Sequence, residues 1–346
     1  MLFAAAGVLG FGAMGCGGSS GSGLGNTITT LAGTGESGAV DGAPGVARFH
    51  NPVNVAIDDS GFIYVADFDN DLIRKIDKKG NVSTLVDDPT FSRPFGLVLG
   101  PGNILYAQTD ANDLGERNST TGTIWSIDRT TGAKTVIARN VGRPRGLGIL
   151  QSGDLIISDI AHHVVSRVAI STGAVTLIAG KADTPGFVDG NGADARFDRP
   201  YGISVNKATG VIYVADQNNN RIRRITPPGI VDTFAGSGAA GSADGPLLSA
   251  TFNGPQDVEL AKDGTLFVAD TTGHKIRAIS TNGNAGTLVT TFAGTGVRGF
   301  KDGARFQAEF WGLEGIAVSK SNEVVIADGT GGDDDDPPYN RVRVVK

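Results

Sequence analysis

The stretch "GVIYVADQNNNRIRRIT", residues 210–226, reads as a strand, a polar turn and a second strand. Nearly the same text stands at "GTLFVADTTGHKIRAIS" (264–280) and "GFIYVADFDNDLIRKID" (61–77). A unit that recurs with its internal order intact is a structural repeat, and the number of copies then sets the architecture.

The apolar-Ala-Asp ending recurs at Asp67, Asp216, Asp270 and Asp328, with a variant, "LIISD", ending at Asp159. A sixth, degraded copy, "ILYAQ", sets Gln108 in the aspartate position. A proline-led strand precedes five of the endings, as in "NPVNVAID" (51–58) and "RPYGISVN" (199–206), and Leu313 takes the proline position in the sixth. A polar turn, a strand such as "RIRRIT" and a fourth strand such as "IVDTFAG" (230–236) follow. Only five units have a fourth strand after them; the missing one, "TITTLAG" (27–33), stands ahead of the first unit. A closed ring explains the exchange, because the early strand completes the last unit and no sheet edge is left open at the junction. The expected fold is therefore all-β, a six-bladed β-propeller over residues 27–346. The "VAD…N.RIR" unit with its leading "P.G" resembles the NHL repeat, and the resemblance covers nearly all of that span.

Composition agrees with many short strands joined by turns: 52 glycines in 346 residues, 40% hydrophobic and 19% charged. A net charge of −6 provides no positive field for a phosphate backbone, so nucleic acid is not an expected partner. The RNA-binding NHL domains that the fold resembles need a positive face, whereas this chain carries "DDDDPP" at 333–338. Four adjacent carboxylates could attract Ca²⁺, but the run lacks the ligand spacing of a calcium loop and reads as solvated.

Residues 1–15 contain an apolar, uncharged run too short to span a bilayer and read as an export signal. Residues 16–26 form a Gly/Ser tether that begins at Cys16, the single cysteine. Gly15-Cys16 resembles a bacterial lipoprotein signal, in which Cys16 would carry the lipid anchor. Ala13 and the lack of a basic residue ahead of the apolar run depart from that pattern. The implied location is the cell envelope, with the membrane touched only through the anchor and the protein a monomer.

In a propeller the blade-to-blade connectors share a face with the second-to-third-strand turns, and here that face carries everything unusual. Four connectors, 33–49, 180–197, 236–252 and 294–310, share an Asp-Gly and a final Phe. They read as built structure with an aromatic plug between blades. Asp67 with Arg74, Asp216 with Arg221 or Arg223, and Asp270 with Arg277 read as repeated structural ion pairs across a hairpin.

Site candidates lie where the repetition fails. Directly after the leading proline, at the channel mouth, stand Val53, Phe95, Arg145, Tyr201, Gln256 and Glu314; the next position is glycine in four units but Asn54 and Asp257 in two. Asn54, Phe95, Arg145, Tyr201, Gln256, Asp257 and Glu314 are the expected ligand-binding set. His50, His163 and His274 fall on alternate blades, and the related propeller of peptide-amidating lyases holds a histidine-bound metal, so the resemblance makes zinc a candidate there. His163 and His274, however, share one repeat position. Sugar-lactonase propellers, which bind metal through carboxylate and amide groups, keep Asn54, Asp257 and Glu314 open as an enzyme site by fold analogy. No nucleophile with its base, no P-loop and no dinucleotide fingerprint is present. The reading is a non-catalytic binding or scaffolding propeller without a cofactor, recognising a protein or small ligand; the alternative is a metal-dependent lyase or lactonase.

Overall fold

The computed structural model describes residues 25–282, 286–330 and 339–346. Cys16, the rest of the leader and tether up to residue 24, and the acidic run at 333–336 lie outside the described residues. Among the described residues no helix is long and apolar enough to cross a membrane.

Six antiparallel sheets surround one axis. Blade 1 is built from Pro52–Ile57, Ile63–Asp67, Leu72–Ile76 and Val82–Asp87, and blade 2 from Pro94–Leu99, Ile104–Thr109, Thr123–Asp128 and Lys134–Ala138. Blade 3 comprises Pro144–Ile149, Leu155–Asp159, Val164–Val168 and Val175–Ala179. The inner strands of blades 4, 5 and 6 are Pro200–Val205, Pro255–Leu260 and Gly312–Val318. Thr27–Gly35 is the outer strand of blade 6: Ile28 lies opposite Val345 and Thr29 opposite Val344. The Lys346 amide donates to Thr27 O at 2.8 Å and the Thr27 amide to Lys346 O at 2.9 Å. The ring is closed by the strand exchange that the repeat count implies.

The repeated aspartate and arginine form a clasp inside four blades. Arg74, Arg223, Arg277 and Arg343 are fully buried and pair with Asp67, Asp216, Asp270 and Asp328 at 2.8, 2.8, 3.1 and 2.8 Å. A second carboxylate reaches each guanidinium from the connector ahead of that blade: Asp41, Asp189, Asp244 and Asp302, at 2.6, 2.5, 2.8 and 2.9 Å. This is the role of the shared Asp-Gly. The final connector phenylalanines, Phe49, Phe197, Phe252 and Phe310, are fully buried with the guanidiniums over their rings at 4.8–5.3 Å. A threonine on the fourth strand completes the set, with Thr84 and Thr291 hydroxyls donating to Asp41 (3.0 Å) and Asp244 (2.9 Å). A buried charge survives only when paired and hydrogen-bonded, and all four guanidiniums meet that condition at their terminal nitrogens, while Nε of Arg74, Arg223 and Arg277 has no hydrogen-bond partner among the described residues.

Blade 2 corrects the repeat register. Pro94 lies opposite Thr109, as Pro52 lies opposite Asp67, so Thr109 and not Gln108 holds the aspartate position. Trp125 holds the arginine position, opposite Ala107 as Arg74 is opposite Val65. Its indole Nε1 donates to Thr109 Oγ1 at 2.9 Å, a neutral replacement for the ion pair. In blade 3, Asp159 meets His162 Nδ1 at 2.6 Å instead.

Candidate ligand-binding channel

Every inner strand has a register irregularity straight after its leading residue, as between Pro52 and Asn54 or Leu313 and Gly315. A bulge re-aims a side chain, and here it turns the residue after the proline onto the ring axis. Phe95 of blade 2 and Tyr201 of blade 4 meet edge to face, ring centroids 5.5 Å apart, although blade 3 stands between them. Arg145 of blade 3 lies over Phe95 at 4.5 Å and forms an ion pair with Asp110 of blade 2. Phe68 meets Phe95 edge to face at 5.8 Å. Glu314, from the opposite side of the ring, lies within electrostatic reach of both Arg145 and Tyr201.

These side chains therefore seal the loop-rich end of the channel. Val53, Phe95, Arg145, Tyr201 and Glu314 are all buried, and only Gln256 is partly exposed, its buried Oε1 without a hydrogen-bond partner. The sequence reading has this ring offering charged and aromatic groups to a ligand. The residues do converge, but they engage one another, because six inner strands leave too little room on the axis for separate side chains. Burial pushes the Glu314 carboxyl up to about 8, against the pull of Arg145 and with help from Asp69. Burial, then the charge of Glu314, raises the Tyr201 phenol. Burial works against the charge on Arg145, and Asp110 more than offsets it.

Asp110 was missed from sequence for a specific reason. The residue after each repeat aspartate, or after Thr109 in blade 2, is Phe68, Asp110, Ile160, Gln217, Thr271 and Gly329 in turn, and of these Phe68 and Asp110 reach Phe95 and Arg145. Setting Gln108 in the aspartate position reads blade 2 one residue out of register and hides the equivalence of Asp110 to Phe68.

Beneath the plug the inner strands crowd. A Cβ on Gly96 would lie 2.7 Å from Arg145 O, and one on Gly315 would lie 2.6 Å from Val53 O, so neither position tolerates a side chain pointing at its neighbour. Asn54 and Asp257 break the glycine pattern by hydrogen-bonding to the next blade. The Leu97 amide donates to Asn54 Oδ1 at 3.3 Å, and the Ile316 amide to Asp257 Oδ2 at 2.9 Å.

From this level the channel widens into a cavity of about 650 Å³ that runs to the short-turn face, where Asn206, Lys207, Asp263 and Asn282 stand at its rim. Asn54 and Asp257 line it; Phe95, Arg145, Tyr201, Gln256 and Glu314 do not. Two lining groups went unnoticed in the sequence, Ser204 and Glu259. Ser204 Oγ accepts from the Leu260 amide at 3.0 Å and donates to Glu259 Oε2 at 3.2 Å. Burial pushes Asp257 up to about 7, against two backbone amides. Burial and then the neighbouring charge of Asp257 push Glu259 up to about 8, although Glu259 still touches the solvent of the cavity. Alternation on one strand places both carboxyls on the same side, a signal readable as Asp257-x-Glu259.

The histidines do not assemble. His163 and His274 hold left-handed backbone, φ 59° and 51°, just before their third strands, where blades 1 and 4 carry Asp71 and Asn220 at φ 63° and 50°. Asn, Asp and His tolerate that conformation best among residues with a side chain, so the turn accounts for the repeat position. His163 Nδ1 accepts from the Arg199 amide at 3.0 Å, and the His50 amide donates to Asp67 Oδ1 at 2.7 Å. Among the described residues no three His, Cys, Asp or Glu side chains are grouped to hold a metal ion. His50, His163 and His274 thus form no group, and Asn54 and Asp257 share the cavity wall while Glu314 belongs to the plug.

Fold and site together define a six-bladed β-propeller with one sealed and one open channel end. Residues 197–225 match the NHL repeat model. NHL repeat-containing protein 2 of Gallus gallus is 27% identical over 309 residues, which cover 74% of this chain and 42% of that protein. The chain thus spans about two fifths of the length of that relative. Among solved structures, an auxiliary nutrient binding protein from Bacteroides thetaiotaomicron superposes with a TM-score of 0.72 at 19% identity, covering 92% of this chain and 76% of that one. Virginiamycin B lyase from Staphylococcus aureus is less alike, with a TM-score of 0.51 and 14% identity over 80% of this chain and 78% of that one. At these identities the structural likenesses speak for the fold.

Proposed function

We propose that the protein is a non-catalytic binding propeller, exported and tethered at the cell envelope through Cys16, that takes a small ligand in its central channel from the short-turn face. The observation that carries this reading is the cavity of about 650 Å³, a size suited to a small-molecule site, with the Asn54 and Asp257 side chains on its wall. Asn54 and Asp257, beside Gly96 and Gly146, form the inner end of this site, and the plug of Phe95, Arg145, Tyr201, Gln256 and Glu314 closes the channel behind that level. The loop-rich face, stiffened by the arginine clasps, is left as the surface for a protein partner. The nutrient-binding relatives from Bacteroides provide a precedent for binding on this architecture.

The test is a thermal-shift screen of fractionated envelope extract against the wild type and against Val318→Trp, which adds a large side chain to the cavity wall and so fills part of it. The expected result is a fraction that stabilises the wild type and leaves the filled variant unmoved. A fraction that shifts both equally, or no active fraction, rejects the channel as the site.

A further inference from the structure

The six outer strands do not end in the same way. In blades 4, 5 and 6 a short stretch of the preceding connector, Gly190–Asn191, Gly245–Pro246 and Gly303–Ala304, adds as a fifth strand to the outer edge. In blade 1 Gly42 bridges Val82 in the same way. The connector then folds its Ala-x-Phe over the strand. Ala47, Ala195, Ala250 and Ala308, with the phenylalanines two residues on, are fully buried against it.

Blades 2 and 3 have short connectors, and among the described residues nothing pairs with their outer edges. Blade 2 guards its edge with charge, since Lys134 pairs with Asp88 at 3.1 Å and packs over Trp125. Charged residues are the common protection of an exposed edge. Blade 3 has no such guard: Ala174 to Gly180, "AVTLIAG", contains no charge. The consequence is visible residue by residue. Counting back from the strand-end residue, Val175 matches Val82, Val231, Val289 and Ile28, which are 0–4% exposed, yet Val175 is 44% exposed. Leu177, 47% exposed, stands where the covered blades carry the threonine that binds the connector aspartate. Ser166, opposite Leu177, replaces the clasp arginine. The covering segment and every group that would bind its carboxylate are absent together.

We propose that the outer edge of blade 3 is a docking position for an extended, uncharged segment of a partner protein, which takes there the place that a connector takes on blades 1, 4, 5 and 6. The segment adds by main-chain hydrogen bonds to residues 174–177 and lays small and aromatic side chains on Val175 and Leu177. Its neutrality follows from the floor, because without the arginine a carboxylate at this position would lose its counter-charge. Strand addition of this kind draws affinity from the backbone and selectivity from alternate side chains. A five-residue edge is about 17 Å long at about 3.3 Å per residue, which suits a peptide-sized segment rather than a broad subunit interface.

The probe is a synthetic peptide copying Gly245–Phe252, "GPLLSATF", the uncharged stretch that this chain uses to cover blade 5. It is titrated to several millimolar into the isotope-labelled full-length protein while backbone amide shifts and hydrogen exchange are followed. The expected result is saturable shifts and slowed exchange confined to 164–168 and 174–179. Leu177→Lys should weaken the affinity at least roughly tenfold, about 1.4 kcal/mol, without lowering the melting temperature, while Ile230→Lys on the covered blade 4 leaves it unchanged. Absence of binding, shifts centred on blade 5 or the channel, or indifference to Leu177→Lys overturns the proposal. Protection of 174–178 before any peptide is added also overturns it, assigning the edge to the chain itself or to a second copy.

Discussion

Blade 2 supplies a ready-made test of what the arginine clasps contribute. Transplanting its neutral pair into blade 4, as Asp216→Thr with Arg223→Trp, should cost far less than either change alone. In the native blade Arg223 donates to Asp216 (2.8 Å), Asp189 (2.5 Å) and the carbonyls of Arg196 (2.9 Å) and Val188 (3.0 Å). Asp216→Thr leaves that fully buried cation with Asp189 alone, a carboxylate whose side chain is 47% exposed. Breaking a buried pair from one side costs about 3–5 kcal/mol, and the remaining half-exposed partner returns about 1, so a loss of about 2–4 kcal/mol is expected. Arg223→Trp strands Asp216, which keeps only the Asp198 amide and Asn219 Nδ2, both at 2.8 Å, and should cost a similar amount. In the double variant no buried charge remains and an indole-to-hydroxyl hydrogen bond can form, as at Trp125 and Thr109, so the loss should be about 1–2 kcal/mol. Urea unfolding followed by far-ultraviolet circular dichroism yields all three values. The cycle should show a coupling of about 4–5 kcal/mol; additivity of the two single losses to within about 0.5 kcal/mol would refute the view that the clasp is held by avoidance of an unpaired charge.

Glu259→Gln should flatten the dependence of stability on pH. A carboxyl whose folded-state pKa is raised keeps a proton that the unfolded chain has released, so its contribution is present below about 4.5 and is lost as pH climbs through about 8. The variant should gain about 1–2 kcal/mol over wild type at pH 8.5 and nothing at pH 4, a figure discounted for cavity water; denaturant midpoints at the two pH values decide it, and equal gains at both would contradict the assignment. Arg145→Ala leaves buried Asp110 with only the part-exposed Arg143, at 3.2 Å, as its cation and should destabilise by about 2–4 kcal/mol, whereas Arg145→Ala with Asp110→Ala should recover most of that; a calorimetric series that shows no recovery would remove the ion pair from the account of the plug. Ile28→Ala, in the strand that closes the ring, should cost about 2–5 kcal/mol because its side chain is fully buried; a change below 0.5 kcal/mol would mean the closing strand does not bear on stability.

The ring, its closure and the clasps were legible because each is written several times, so one copy checks another. Copies fail as checks where they diverge. Blade 2 lost both halves of its clasp at once, and the alanine of "ILYAQ" was aligned one residue early, which hid Thr109, Trp125 and Asp110 together. The channel set was legible as positions but not as roles. That Phe95, Arg145, Tyr201 and Glu314 meet across the axis depends on a bulge and on the inner radius of six blades, and neither is a property of local sequence. Ser204 and Glu259 stayed hidden because their partners are on neighbouring blades 55 and 56 residues away in sequence.

The divergence of blades 2 and 3 is organised, which argues against drift in isolated residues. A clasp needs an aspartate on the second strand, an arginine on the third, a threonine on the fourth and an aspartate in a long connector. Losing the connector alone would strip the buried guanidinium of one of its two carboxylates. The chain instead exchanges the charged core of the set together: Thr109, Trp125 and Val136 in blade 2, where Phe91 keeps the phenylalanine position, and Ser166 and Leu177 in blade 3, where Asp159 stays and pairs with His162. In both cases the buried arginine is gone wherever its connector is gone, as the cost of an unpaired interior charge requires. The same replacement frees one sector of the rim from its own connectors, so the two blades that dispense with the clasp are also, among the described residues, the two whose outer edges stay unpaired.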